Sequence, residues 1–65
     1  MSGERERRLR VFSLYAQAKV AWQLGGDMLP LARRRVREAL ELMGELERPD
    51  REEQLMAEEL REHIK

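Results

Sequence analysis

The chain has no cysteine, one histidine, two serines, two prolines and three aromatic residues, and each scarcity removes a class of function. Without cysteine no disulfide can compensate for a small core, and a cytoplasmic setting is the simplest expectation. With His63 as the lone imidazole and Ser2 and Ser13 as the only serines, no nucleophile, base and orienting group can be assembled within one molecule, so no catalytic residue is expected. Glu59 and His63 stand one helical turn apart with Glu62 beside His63, but two or three such ligands near a chain end make a poor metal site; neither metal nor cofactor is expected. Gly25-Gly26 follows a helical segment and lacks the spacing of either nucleotide-binding fingerprint. No apolar run approaches the ~20 residues of a membrane span, and Met1-Ser2-Gly3-Glu4-Arg5 lacks the apolar stretch of a secretory signal.

What remains is a short, highly charged and strongly helical composition. A chain of 65 residues forms at most one domain and buries only about 60% of its unfolded surface. At 42% hydrophobic and 40% charged it is too apolar for a disordered tail and reads as soluble. Arginine outnumbers lysine 11 to 2 and glutamate outnumbers aspartate 11 to 2, which favours helix and ion pairing. No stretch alternates with period two, so the fold class is all-α, with helices expected at about 5–24, 28–48 and 51–64 after a flexible 1–4.

Local signals punctuate these helices. Gly25-Gly26 closes the first, Asp27 is a candidate cap for the second, and Pro30 falls in its first turn, where a missing amide donor costs little. Pro49 ends the second helix, and Asp50 followed by Glu53 matches a capping box opening the third. The short Gly25–Asp27 connection predicts an antiparallel hairpin.

The first helix is apolar on two sides. Val11, Leu14, Tyr15, Ala18, Ala21 and Trp22 form one stripe; Leu9, Phe12, Ala16, Val20 and Leu24 form a second, nearly opposite. Leu29, Ala32, Val36, Ala39, Met43 and Leu46 line the second helix, widened by Leu40 and Leu42, while Met56, Ala57, Leu60 and Ile64 form a thinner stripe on the third, from which Leu55 points away. So short a chain does not easily cover both stripes of its first helix, and a homodimeric bundle is expected. Leu9, Phe12, Tyr15, Ala16, Val20, Trp22 and Leu24 are the candidate partner-binding residues, because large aromatic and aliphatic side chains dominate helix-in-groove contacts.

Charge is polarised along the chain. The first 40 residues carry nine basic and four acidic side chains and the last 25 carry four and nine, a balance of +5 against −5. An up-down-up arrangement brings Arg5, Arg7, Arg8 and Arg10 toward Glu41, Glu45 and Glu47, and Glu58, Glu59 and Glu62 toward Arg33, Arg34 and Arg37. The second helix runs against its own dipole, with arginines near its positive end and glutamates near its negative end, and its Arg34–Glu38 and Arg37–Glu41 pairs have the less favourable order. Arg33, Arg34, Arg35 and Arg37 are therefore candidate contacts for an acidic partner or for phosphates, and a small dimeric nucleic-acid-associated regulator is the alternative function. Zero net charge and the apolar face of this helix weigh against a base-reading role.

Between Tyr15 and Leu42 one further pattern is present: Trp22-Gln23-Leu24-Gly25-Gly26-Asp27, then Ala32, Val36 and Ala39-Leu40-Glu41-Leu42. This stretch resembles a single tetratricopeptide-type helical hairpin, with Lys19 standing where that pattern has glycine. The resemblance implies peptide or protein binding, and units of that type stack on neighbours that bury their faces. The expected function is thus a small non-enzymatic interaction or oligomerisation module, an adaptor or regulator whose partner is itself or another protein, with no membrane involvement.

Overall fold

The computed structural model describes residues Ser2–Ile64, which form three α-helices and no strand: α1 (Ser2–Leu24), α2 (Leu29–Gly44) and α3 (Arg51–His63), with a 3-10 turn at Gly26–Met28 between the first two. The outermost residue of the expected flexible 1–4, Met1, lies outside the described residues. The rest of that stretch is helical instead, since α1 begins at Ser2 with Glu4 in its first turn, where a carboxylate complements the positive end of the helix.

The turn after α1 depends on glycine. Gly25 and Gly26 have φ of 64° and 53°, a region that costs other residues steric strain. The Gly25 amide donates to the Ala21 carbonyl (3.1 Å) and the Met28 amide to Gly25 (3.0 Å), which closes α1 and starts the 3-10 turn. Asp27 does not cap α2: the cap position is Met28, no side chain caps it, and Pro30 lies in the first turn as expected. The 3-10 turn moves the helix start past Asp27.

α2 also stops early. It ends at Gly44, not near residue 48, and the Glu45 and Leu46 amides donate to Leu42 and Met43 (3.1 Å each), tightening the last turn. Glycine is about 1 kcal/mol worse than alanine inside a helix, and the Glu41, Glu45 and Glu47 cluster at the negative end of the dipole adds to the cost of continuing. Leu46 is buried nonetheless, carried inward by the turn.

The core joins all three helices. Val11, Leu14 and Ala18 of α1 meet Val36, Ala39 and Met43 of α2 and Met56, Ala57 and Leu60 of α3, with Tyr15, Leu40 and Leu42 packed at the edge. Ala21 and Ala32 are also buried, so alanines line the inner faces of both α1 and α2 and allow close approach. Arg10 and Leu14 share a surface depression with Glu41, Leu42 and Glu45, and Gly3, Glu4, Arg7 and Arg8 share another with Glu47 and Arg48. The expected basic-to-acidic proximity is therefore present at that end of the molecule. Ile64, expected in the core stripe of α3, is instead 38% exposed, because it follows the last helical residue.

At the start of α3 the capping box is complete. The Asp50 side chain accepts from the Glu53 amide (2.8 Å), and Glu53 Oε1 accepts from the Asp50 amide (2.9 Å). Glu53 is itself only 1% exposed and is ion-paired with Arg8 of α1, whose other nitrogen donates to the Arg48 carbonyl at 2.8 Å. One carboxylate thus caps α3 and fastens it to α1. Glu53→Ala removes the acceptor for the Asp50 amide and for the Arg8 guanidinium together and is expected to cost about 1–3 kcal/mol in urea unfolding followed by circular dichroism. Glu53→Gln, which retains the capping acceptor, is expected to lose less.

Candidate interaction face

The site is built from α1 outward. Turning Val11, Leu14, Ala18 and Ala21 inward necessarily turns Leu9, Phe12, Ala16, Val20 and Leu24 outward. In the structure Leu9 is 63%, Phe12 45%, Val20 57% and Leu24 67% exposed, and Ala16 is exposed with them. Five of the seven candidate partner-binding residues therefore lie on one uncovered strip.

Tyr15 and Trp22 lie elsewhere, half-buried beside α3. The Tyr15 hydroxyl donates to Glu59 Oε2 (2.6 Å), Lys19 Nζ donates to Glu59 Oε1 (2.7 Å), and the ammonium lies 5.5 Å from the centre of the Tyr15 ring. Trp22 stacks on His63, ring centroids 4.5 Å apart at 41°. With Arg8 on Glu53, these contacts ascend α1 and α3 in the same sense. The charge pattern places Glu59 near the arginines of α2; in the structure it pairs instead with Tyr15 and Lys19 of α1.

The groups of this cluster shift one another. Hydrogen bonds from Lys19 and Tyr15 hold the Glu59 carboxyl below its ordinary value. The hydrogen bond to Glu59 raises Tyr15, aided by burial, and the same partner raises Lys19. Stability supplied by Glu59 is fully present above the ordinary carboxylate value of 4.5 and is lost as pH falls through its depressed folded value. Stability supplied by Tyr15 and Lys19 is fully present below 10.0 and 10.5 respectively and is lost as pH rises through their raised folded values. Thermal melts are therefore expected to show a plateau across neutral pH with losses on both sides. Glu59→Gln is expected to lower the plateau and soften both edges; an unchanged pH profile in that variant contradicts the assignment.

The outer strip is also nearly free of charge. From Val11 to Gly26 the sole charged residue is Lys19, in a chain that is 40% charged, and its ammonium turns toward Glu59. Two of the polar groups that interrupt the strip satisfy each other, Gln17 Nε2 donating to Ser13 Oγ at 3.1 Å. On α3, Leu55 is 54% exposed and lies one turn before Glu59 on the same helix face. The lack of charge in this stretch is a signal that sequence reasoning missed, although it is visible in the sequence.

The arginines of α2 divide into two groups. Arg33, Arg34 and Arg37 are exposed and line one depression with Pro30, Glu38 and Glu41. Arg35 is half-buried and pairs with Glu38 at 3.0 Å, in place of the expected Arg34–Glu38 pair. Arg33 and Arg37 also lie beside His63 and Ile64 at the end of α3. Among the described residues no cluster of three or more histidine, cysteine, aspartate or glutamate side chains is disposed to hold a metal ion, and no helix is long and apolar enough to cross a membrane. Comparison of the chain with protein-family models, with curated proteins and with solved structures gives no match.

Proposed function

We propose that this protein is a small non-enzymatic interaction module that docks a helical partner on the outer face of α1. The observation that carries this reading is the uncovered strip Leu9, Phe12, Ala16, Val20 and Leu24 in a stretch almost without charge. Scattered apolar side chains are normal on a surface; several aligned on one helix face, in a stretch almost without charge, are what a contact site offers. In this reading α1 and α2 form an antiparallel hairpin, α3 braces it through Glu53 and Glu59, and the apolar row is completed by a further chain to give a multichain helical bundle. The tetratricopeptide-type resemblance of residues 15–42 points to the same class of work.

The test uses tagged wild type and a Phe12→Asp, Val20→Asp double variant as baits in extract of the source cell. Wild type is expected to recover a protein that the double variant loses; recovery of the same set by both contradicts the reading. A second reading, nucleic-acid association, draws on Arg33, Arg34 and Arg37 sharing one depression without an ion pair among the described residues. It requires binding to a DNA or RNA probe that falls steeply with salt, since released counterions supply that affinity. Binding that is absent at low salt removes it.

A further inference from the structure

We propose that the occupant of this face is the same face of a second copy of the chain, the two α1 helices running antiparallel with a two-fold axis beside Ala16. The proposal rests on the reading of the strip as an interaction surface and names its partner. An isologous contact requires each residue of the strip to meet a complementary residue of the same strip. The strip meets this condition. Phe12 and Val20 stand four residues to either side of Ala16, and Leu9 and Leu24 stand seven before and eight after it. With the axis at Ala16, Phe12 of each copy packs on Val20 of the other, and each Leu9 meets the Gln23–Leu24 end of its counterpart. Phe12, Ala16, Val20 and Leu24 also form one four-residue ridge of the kind that fits the groove beside an identical ridge, with the smallest side chain where the helices come closest.

Charge selects the antiparallel direction. Arg5 stands at the start of α1 and Asp27 in the turn just past its end, so an antiparallel pair brings each exposed Arg5 toward the end of the other copy that carries an exposed Asp27, and neither has an ion pair among the described residues. The arginine-rich start of each α1 also approaches the negative end of the other α1, whose last turn carries no basic residue. A parallel pair stacks Arg5 on its own copy and leaves both Asp27 side chains distant from it. Size sets the strength: from Leu9 to Leu24 the strip is about 22 Å long and about 10 Å wide, well short of the ~800 Å² per partner of a standard interface even with Leu55 added. The dimer therefore belongs to the weak contacts that exchange with monomer.

Absence of cysteine makes the test direct. Single-cysteine variants Ala16→Cys, Leu9→Cys and Gln23→Cys, each checked for the wild-type melting temperature, are oxidised in solution at concentrations spanning about 10 µM to 1 mM. Ala16→Cys is expected to form a covalent dimer readily, because the axis brings its two Cα atoms within disulfide reach, and Phe12→Asp in the same chain is expected to slow this at least about tenfold. Gln23→Cys alone is expected to stay unlinked, its symmetry mate lying about 21 Å away along the helices, while a mixture of Leu9→Cys and Gln23→Cys is expected to link. Gln23→Cys linking to itself as fast as Ala16→Cys overturns the antiparallel dimer, and Ala16→Cys remaining monomeric throughout overturns the second copy as partner. In the latter case the interaction-face reading is judged separately by whether the double variant loses a captured protein.

Discussion

Replacing Leu60 by alanine is expected to unfold a large fraction of the molecules at ambient temperature. Leu60 is fully buried where α3 meets α1 and α2, packed in one cluster with Val11, Leu14, Val36 and Met43. Truncating a buried leucine costs about 2–5 kcal/mol once the cavity is included, while a domain of this length has a total stability of only about 3–10 kcal/mol. One methyl-rich side chain thus accounts for much of the margin. Circular dichroism in urea is expected to show the midpoint falling toward zero denaturant. Leu55→Ala, on the exposed face of the same helix, is expected to change stability by less than about 0.5 kcal/mol. Similar losses in the two variants contradict the packing described for α3.

The second large effect concerns association. Phe12→Asp places a carboxylate at a position that is 45% exposed in the single chain and near the centre of the proposed contact. In the isolated chain the change is tolerated, because the position faces solvent. Across a contact it buries a charge opposite the apolar Val20, at a cost of about 3 kcal/mol or more, equivalent to at least about a hundredfold weaker association. The variant is expected to remain helical while losing any concentration dependence of its melting temperature, which wild type is expected to show because dimerisation stabilises by mass action.

Much of this fold is legible in the sequence because helical periodicity and terminus chemistry are local. Val11, Leu14, Ala18 and Ala21 are buried on one side of α1 and Leu9, Phe12, Val20 and Leu24 exposed on the other, as the two stripes predict, and Asp50 and Glu53 form the predicted box. Three features are not local and were not legible. The rotation of a 13-residue helix with a thin apolar stripe is set by its packing partners, so the choice of Glu59 for Tyr15 and Lys19 over the α2 arginines emerges only in three dimensions. The stacking of His63 on Trp22 follows from that same rotation. The early end of α2 reflects a balance of Gly44, the negative helix end and the inward pull of Leu46, in which no single residue is a stop signal.

The same locality explains why the candidate site divides as it does. Tyr15 and Trp22 belong by periodicity to the inner stripe and are held by α3, whereas the outer strip has no partner among the described residues to which its periodicity could point. Arg33 to Arg37 occupy successive faces of one helix turn, so they diverge in the structure: Arg35 turns to Glu38 and the others face solvent.

Sedimentation equilibrium of the wild-type chain over a wide concentration range tests most directly whether the outer face of α1 is covered by a second copy. The expected result is an apparent mass rising from 7.8 kDa toward twice that value, with Phe12→Asp held at the lower mass throughout. A wild-type chain that stays at 7.8 kDa at every concentration contradicts it.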